Sequence, residues 1–271
     1  MITKELDCFN IAQICDSGQC FRMRQKRDNL YSVIAGNEYL EVTQNGGQCT
    51  FHCDENKYET FWKKYFDLNA DYKKYIESID EEDSYLKKAS EFGFIRILRQ
   101  DLWEMIVSFL ISQQNNIVRI RRCIDNICER YGEKRSDGCG NFYYTFPKAE
   151  ILAELHEDAL KDCNLGYRSK YVVRTAKSLT GGEVSLEAIK QMPYKEAKAE
   201  LMKLYGIGEK VADCICLFAL HHFEAFPVDT HIRQALEGHY PDGFPAERYR
   251  GCEGVMQQYI FYYELLGKKL G

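Results

Sequence analysis

The stretch LYGIGEKVADCICLFAL, residues 204–220, places Gly206 and Gly208 just before a single lysine, Lys210. Glycine permits positive φ and lets another backbone approach where a Cβ would block it. The longer segment AELMKLYGIGEKVAD therefore predicts a helix, a tight turn and a second helix whose first amides can bind a phosphate oxygen. A glycine C-cap followed by an ordinary helix start explains the same residues, so the turn alone does not decide the function.

The composition is that of an ordinary globular protein, with 271 residues of which 45% are hydrophobic and 28% charged. No run of about 18 apolar residues occurs, so we expect no transmembrane helix. The first residues, MITKELDCFNIAQICDSGQ, carry acids and polar side chains where a secretory signal needs an apolar stretch. We therefore expect a cytoplasmic location, with association to the nucleoid if the protein is bacterial.

The 12 cysteines and the net charge of -5 leave the partner undecided. No CxxC pair occurs and nothing indicates export, so we expect most cysteines to be reduced, buried apolar residues. The acids concentrate in DEEDSYLKKASE, whereas RIRRC and YRSKYVVR are locally basic. Because a local basic surface is what meets phosphate, the net charge does not exclude a nucleic-acid partner.

Two parts of the chain differ in their periodicity. The runs LYSVIAG, EYLEVTQ and CTFHC are separated by Gly36-Asn37 and Asn45-Gly46, which are hairpin signals, so an antiparallel sheet is predicted. A helix, YETFWKKYFDL, and an acidic linker around residues 80–84 follow. Beyond residue 91, segments such as DLWEMIVSFLI, IVRIRRCIDNICERYG and ILAELHEDALKDC predict successive helices. We therefore predict an α+β protein with an antiparallel sheet domain at residues 1–88 and a helical domain at 89–271.

Downstream of the glycine turn, FEAFPVDTHIRQAL places Asp229 directly before a helix, where an N-cap is its simplest role. Together, LYGIGEKVADCICLFAL and FPVDTHI resemble the helix–hairpin–helix DNA glycosylases, and within these the 8-oxoguanine DNA glycosylases. Matching residues extend from DSGQCFR to QQYIFYY, so the resemblance covers nearly the whole chain. It implies a TATA-binding-protein-like (TBP-like) N-terminal sheet domain and an all-helical glycosylase domain, with the helix–hairpin–helix at about residues 195–220.

The resemblance implies a bifunctional DNA glycosylase/AP lyase that excises 8-oxoguanine paired with cytosine in base-excision repair. Cleavage of an N-glycosidic bond builds positive charge on the sugar, which a carboxylate at Asp229 would stabilise. The resemblance assigns Lys210 the attack on the sugar carbon, giving a Schiff base from which β-elimination nicks the strand. Relatives that only hydrolyse the base lack this lysine, so Lys210 predicts the lyase step.

A base inside a duplex cannot be reached, so the target must be extruded into a pocket. The resemblance assigns four residues to that pocket. The carbonyl of Gly18 would accept the N7–H that distinguishes 8-oxoguanine, Gln257 would read the Watson–Crick edge, and Phe261 would stack on the base. Cys214 lies four residues after Lys210, hence on the same helix face, and a charged lysine–cysteine pair against the base is expected. Without the resemblance, a turn and core packing explain these residues.

Other residues match positions that contact the DNA around the extruded base. The resemblance assigns the opposite cytosine and the vacated stack to Gln114, Asn115, Asn116, Arg119, Tyr167 and Arg168. Without it, LGYRSKY is an ordinary solvated turn. Two departures stand out: Gln114 replaces an asparagine of the family loop, and Tyr205 stands where the hairpin often has proline.

The hairpin itself is expected to hold the DNA backbone. The resemblance assigns phosphate contacts to Gly206, Gly208 and His231. It also implies that the backbone carbonyls of Leu204 and Ile207 can bind a structural cation, although carbonyl ligands leave no side-chain signature. We expect no required cofactor and no iron–sulfur cluster, because only Cys252 follows Cys216.

The expected partner is double-stranded DNA containing 8-oxoguanine, bound by a monomer away from any membrane. Three alternatives stay open. A glycosylase of the same superfamily for another lesion, such as an alkylated purine, would keep Asp229 but gives no reason for Lys210, Gly18 and Gln257 together. A catalytically silent helix–hairpin–helix protein would bind DNA without nicking it. A metal scaffold would use the cysteines as ligands.

Overall fold

The computed structural model describes residues 1–138 and 140–265. Its N-terminal part is a five-stranded antiparallel sheet in the order β1-β5-β4-β3-β2. The predicted hairpin turns at Gly36-Asn37 and Gly46 join β3 to β4 and β4 to β5, and both glycines adopt positive φ. The strands are β1 (Ile2–Glu5), β2 (Met23–Arg27), β3 (Leu30–Ala35), β4 (Glu38–Asn45) and β5 (Gln48–Phe51).

The rest of the described chain is helical apart from one hairpin of two strands, β6 (Lys134–Ser136) and β7 (Phe142–Tyr144). The first helices are α1 (Ile11–Asp16), α2 (Glu55–Lys57), α3 (Lys63–Tyr65), α4 (Tyr72–Glu77) and α5 (Ser84–Phe92). The long helices of the second half are α6 (Leu102–Ser112), α7 (Ile117–Tyr131), α9 (Arg168–Thr180), α12 (Glu209–Phe218), α13 (Thr230–His239) and α14 (Glu253–Leu265). Shorter helices between them are α8 (Ala149–Ala153), α10 (Leu186–Ile189) and α11 (Tyr194–Leu201). These bounds confirm the α+β architecture.

One sequence-based expectation was wrong in detail. The predicted helix at residues 151–163 is divided into α8 and a 3-10 turn, Ala159–Cys163. The hydroxyl of Ser169 explains the break, because it accepts from the amide of Leu160 and donates to the carbonyl of Glu157, replacing helical hydrogen bonds. The acidic linker ends in a helix cap, since Asp83 accepts from the amide of Leu86 at the start of α5. The predicted domain boundary at residue 88 falls within α5 and stays a prediction.

Buried polar contacts join the sheet to the helices. The Arg22 guanidinium, 5% exposed, donates to the Glu104 carboxylate on α6 and to the Tyr144 carbonyl in β7. Burial raises the pKa of Glu104 to about 7, because desolvation outweighs the charge of Arg22. No helix within residues 1–138 and 140–265 has the length and apolar character needed to cross a membrane.

The last helix fits closely against α12 because Gly254 lacks a side chain. An ideal Cβ at Gly254 would lie 2.4 Å from Leu217 Cδ1 and 2.7 Å from the backbone oxygen of Ala225. The leucine side chain can rotate, but the carbonyl cannot move without displacing backbone. This contact sets the distance between α14 and α12, the two helices that supply most of the pocket described below.

We expect Gly254→Ala to lower the free energy of unfolding by about 1–3 kcal/mol through overpacking. Gly238→Ala is the matched control, because Gly238 lies in α13 with nothing within 4 Å of its would-be Cβ. The control should stabilise the protein by about 0.5–1 kcal/mol, the helix propensity difference between the two residues. Thermal or urea unfolding measures both, and a shift of the same sign in the two variants would contradict the steric argument.

Candidate active site

Six residues predicted from widely separated segments meet around one pocket. The wall of this pocket, whose volume is about 60 Å³, includes Gly18, Lys210, Cys214, Asp229, Gln257 and Phe261. Five wall residues, among them Lys210 and Asp229, also line an adjoining cleft of about 490 Å³. The cleft adds Asn115, Asn116 and His231 of the predicted set. The structure therefore brings the predicted catalytic and base-binding residues together beside part of the predicted DNA-contacting set.

The two catalytic candidates each stand at the start of a helix. Lys210 is the second residue of α12, whose N-cap is Gly208. Asp229 is the N-cap of α13, and its Oδ1 accepts from the amide of Ile232 at 2.9 Å. The N-cap role predicted for Asp229 is thus present, and the residue also lies in the pocket wall. A helix N-terminus carries partial positive charge, so it stabilises the ionised carboxylate.

The surroundings of Lys210 are mostly apolar. Its Nζ lies 6.0 Å from the centre of the Phe109 ring. In the described part of the chain, no carboxylate forms an ion pair with this ammonium. Burial raises the pKa of Cys214 to about 11 although Lys210 opposes that shift, so the thiol is protonated at neutral pH. Burial thus favours a neutral thiol opposite the ammonium, and the expected charged lysine–cysteine pair stays a prediction.

Gly18 is held in place by its neighbour Gln19, which is fully buried. The Gln19 Nε2 donates to the Ser17 hydroxyl and to the Arg96 carbonyl, both at 3.0 Å, and its Oε1 accepts from the Leu98 amide at 2.8 Å. Gly18 itself adopts φ +74°, a conformation that favours glycine. The loop between α1 and β2 is thereby fixed against the segment that leads into α6.

Gln257 and Phe261 reach the pocket from α14. The Gln257 Nε2 donates to the carbonyl of Pro227 at 2.9 Å, and the side chain is 3% exposed. The Phe261 ring lies against Gly18, with its Cε1 3.3 Å from the position of an ideal Cβ there. It also contacts the ring of His231 edge-on, with the centroids 6.0 Å apart. His231, predicted to meet phosphate, therefore lies next to the residue predicted to stack on the base.

The predicted gap-filling loop follows α6 directly. Gln114 is exposed and adopts φ +48°, so the residue that departs from the family pattern occupies a strained backbone position. The Asn115 Nδ2 donates to the Ile111 carbonyl at 3.0 Å, and Asn116 is the N-cap of α7, accepting from the Arg119 amide at 2.9 Å. Asn115 and Asn116 therefore have structural roles in the loop as well as a place on the cleft.

The residues predicted to meet the opposite cytosine lie outside the pocket. Tyr167 is 44% exposed, and the guanidinium of Arg168 stacks over its ring at 4.5 Å. Arg168 is only 3% exposed, and it donates to the backbone carbonyls of Gln113 and Gln114. Arg119 is exposed at the start of α7. Arg168 thus supports the loop in this structure, and its contact with cytosine stays a prediction.

Glycine occupies the two hairpin positions for different physical reasons. Gly206 adopts φ +90°, and a Cβ there would lie 2.9 Å from the Tyr171 ring. Gly208 has φ −98° and open space where a Cβ would be, which leaves its surface free for another molecule. The Gly206 carbonyl accepts from the Gln113 Nε2 at 3.0 Å, so the hairpin is tied to the loop after α6.

No part of the described chain suggests a side-chain metal site. Within residues 1–138 and 140–265, no group of three or more His, Cys, Asp or Glu is placed to hold an ion. Of the 11 cysteines described there, nine are buried and two are half-buried, and all are free thiols. The Leu204 carbonyl accepts from the Ile207 amide at 3.1 Å, as in a tight turn. Cation binding by the carbonyls of Leu204 and Ile207 stays a prediction.

Five further residues line the pocket and were not predicted from the sequence, namely Ser17, Phe109, Phe218, Pro227 and Gln258. Phe109 and Phe218 stack with their ring centres 5.6 Å apart and look like core residues in the sequence. Gln258 is adjacent to Gln257 in QQYIFYY, and this doubled glutamine was the one available signal.

Comparison with known proteins gives the family. Residues 1–106 match the model for the 8-oxoguanine DNA glycosylase N-terminal domain, and residues 107–243 match that for HhH-GPD superfamily base excision DNA repair proteins. An N-glycosylase/DNA lyase of Saccharomyces cerevisiae is 32% identical over an alignment of 260 positions that covers 85% of this chain and 68% of that protein. These matches span both the sheet and the helical part.

Comparison with solved structures gives the same family. The Clostridium acetobutylicum 8-oxoguanine glycosylase/lyase, in complex with double-stranded DNA containing cytosine opposite 8-oxoguanine, superimposes with a TM-score of 0.91 at 37% identity. That match covers 97% of this chain and 93% of the other. The 3-methyladenine DNA glycosylase of Archaeoglobus fulgidus has a TM-score of 0.74 at 20% identity, covering 98% and 99%, which shows a shared fold alone. The chain belongs to the 8-oxoguanine DNA glycosylase family, within the HhH-GPD superfamily of base excision DNA repair proteins.

Proposed function

We propose that this chain is a bifunctional DNA glycosylase/AP lyase that removes 8-oxoguanine paired with cytosine from double-stranded DNA. The observation that supports this best is the meeting of Lys210 and Asp229 with Gly18, Gln257 and Phe261 around a single pocket. One chain supplies all of these groups, so a monomer is sufficient. The proposed reaction uses an amine and a carboxylate and needs no cofactor.

Recognition begins with extrusion of the base into the pocket. 8-Oxoguanine carries a proton on N7 that guanine lacks, and the Gly18 carbonyl is the proposed acceptor for it. The bonds that hold Gln19 keep this carbonyl from turning away, so discrimination rests on a fixed acceptor. Gln257 faces the Watson–Crick edge, and Phe261 provides the stacking surface.

Base removal is proposed to use both helix starts. As the N-glycosidic bond lengthens, positive charge develops on the sugar, and the Asp229 carboxylate stabilises it. The Lys210 ammonium gives up one proton and its nitrogen forms a bond to C1′, while the base leaves with the bonding electron pair and takes up a proton. Loss of a proton and ring opening give the Schiff base. Removal of a C2′ proton then expels the 3′ phosphate and cuts the strand.

The remaining predicted contacts with DNA are part of the same proposal. Asn115, Asn116 and Gln114 would fill the gap left by the base, with Tyr167 wedged beside it. Arg119 and Arg168 would meet the orphaned cytosine, which requires Arg168 to exchange its backbone partners for the base. The hairpin would bind phosphate at Gly206 and Gly208, with a cation held by the carbonyls of Leu204 and Ile207. The structure favours a place for this DNA at Gly208, where space is open.

A glycosylase for an alkylated purine is the main competing function. It would use Asp229 with water, and it has no use for an amine in the pocket. The observation against it is the apolar placement of Lys210 beside Phe109 and Cys214, where the lysine serves no ion pair in the described part of the chain. A silent DNA-binding protein is disfavoured for the same reason.

Borohydride reduction on a duplex with 8-oxoguanine opposite cytosine should trap a covalent adduct with the wild type and none with Lys210→Gln. Reduction captures only a Schiff base, so loss of the adduct identifies the amine. Lys195→Gln is the control, because it makes the same change at an exposed position of α11. Base release by the wild type without any adduct would transfer the chemistry to Asp229 and water.

Asp229→Asn should slow base excision on the order of 100-fold while leaving the protein folded. The amide oxygen keeps the cap on Ile232, so the change removes charge rather than the hydrogen bond. Asp101→Asn is the matched control, since Asp101 caps α6 by the same contact to the Glu104 amide and lies outside this pocket. Single-turnover rates and thermal unfolding measure the two effects. Equal loss of rate in both variants would contradict a role for the Asp229 charge.

A further inference from the structure

One polar atom in the pocket wall has no partner. Gln258 lines the pocket with 3% of its surface exposed, and its Oε1 accepts no hydrogen bond. In the described residues, it is the only buried side-chain N or O atom of this wall that is unpaired. Buried polar groups are normally hydrogen-bonded, and an unpaired one in a binding pocket indicates a partner that arrives with the ligand.

The orientation of this amide follows from its neighbours. The carbonyl of Pro227 can only accept, so the Gln257 group that faces it must be the Nε2, at 2.9 Å. The Gln257 Oε1 then faces Gln258 and accepts from its Nε2 at 3.1 Å. Turning either amide over would set two acceptors against each other. The chain of bonds therefore fixes the Gln258 oxygen as the free end.

The unused capacity of the two glutamines matches one base edge. After the bonds above, Gln257 still offers one N–H and one lone pair, and Gln258 offers its oxygen. The Watson–Crick edge of a guanine-type base presents, in order, the O6 acceptor, the N1–H donor and the exocyclic amine donor. The N–H of Gln257 fits O6, its lone pair fits N1–H, and the Gln258 oxygen is left for the amine. An adenine-type base has no amine at that place.

We propose that Gln258 is a specificity-determining residue whose Oε1 accepts a hydrogen bond from the exocyclic amine of the extruded guanine-type base. The assignment rests on the proposed function, because it takes 8-oxoguanine as the occupant of the pocket. It divides recognition between two positions: Gly18 tests for the N7 proton, and Gln258 tests for the amine. Only a base that carries both donors gives a hydrogen-bond partner to the Gly18 carbonyl and to the Gln258 oxygen.

The test pairs a protein change with a substrate change. Wild type and Gln258→Met are compared on 8-oxoguanine and on 8-oxohypoxanthine, which lacks the amine, each opposite cytosine and under single-turnover conditions. We expect Gln258→Met to slow excision of 8-oxoguanine by about tenfold and to leave excision of 8-oxohypoxanthine nearly unchanged. An equal fall on the two substrates would overturn the proposal and assign Gln258 only to holding Gln257.

Nicking of a preformed abasic site separates this proposal from its premise. The lyase step needs no base, so the wild type should nick an abasic duplex whether or not Gln258 contacts the exocyclic amine. If the wild type neither excises 8-oxoguanine nor forms a Schiff base, the proposed function fails. If the wild type does both and the two substrates respond equally to the variant, only the Gln258 assignment fails.

A second measurement tests the Gln258 proposal even if Gln258→Met does not fold. Binding of Lys210→Gln to the two duplexes keeps Gln258 intact and removes the chemistry. We expect tighter binding of the duplex with 8-oxoguanine than of the duplex with 8-oxohypoxanthine. Equal affinity, or tighter binding of the base without the amine, would overturn the proposal.

Discussion

The buried amide of Gln19 is the contact on which the pocket depends. It joins three backbone or hydroxyl groups from two segments that are about 80 residues apart, the loop after α1 and the stretch leading into α6. Its own carbonyl accepts from the Gln100 Nε2 at 2.8 Å, which adds a fourth bond to the same junction. Since Ser17 and Gly18 directly precede Gln19, the two pocket residues that come from the sheet part of the chain are positioned by this junction. The remaining wall residues lie on α6, α12 and α14, apart from Pro227 and the N-cap Asp229.

The positions of Asp229, Cys214 and Lys210 determine which of them carries charge in the pocket. Asp229 is fixed by a cap and lies at the positive end of a helix, which suits an anion that must stay ionised. Cys214 is buried deeply enough to stay a neutral thiol, so it adds no competing negative charge beside Lys210. Of Asp229 and Cys214, Asp229 thus carries the negative charge. In the described part of the chain, no carboxylate forms an ion pair with Lys210. In the proposed mechanism, this arrangement supplies one anion for the sugar and one amine for attack.

The architecture and the main pocket residues were within reach of the sequence, and the hydrogen-bond partners were not. Hairpin glycines and amphipathic periods indicated the sheet and most helices, because those features depend on neighbours in the chain. The division at residues 154–158 depends on Ser169, a partner at a distance in the chain. The unpaired oxygen of Gln258 could not be predicted, because it depends on the contact between the Pro227 carbonyl and Gln257, which is a feature of the tertiary structure. The neutral state of Cys214 likewise depends on burial rather than on its spacing from Lys210.

The close approach of Phe261 to Gly18 has a consequence for the energetics of binding. A cavity of about 60 Å³ has room for a few water molecules but not for a purine, so its wall moves when a base enters. A base that enters must therefore displace part of this wall, such as the Phe261 ring beside Gly18. The free energy of that displacement weakens the binding of every extruded base, damaged and undamaged alike. His231 lies edge-on to the Phe261 ring, so a displacement of that ring changes the contact with His231 as well.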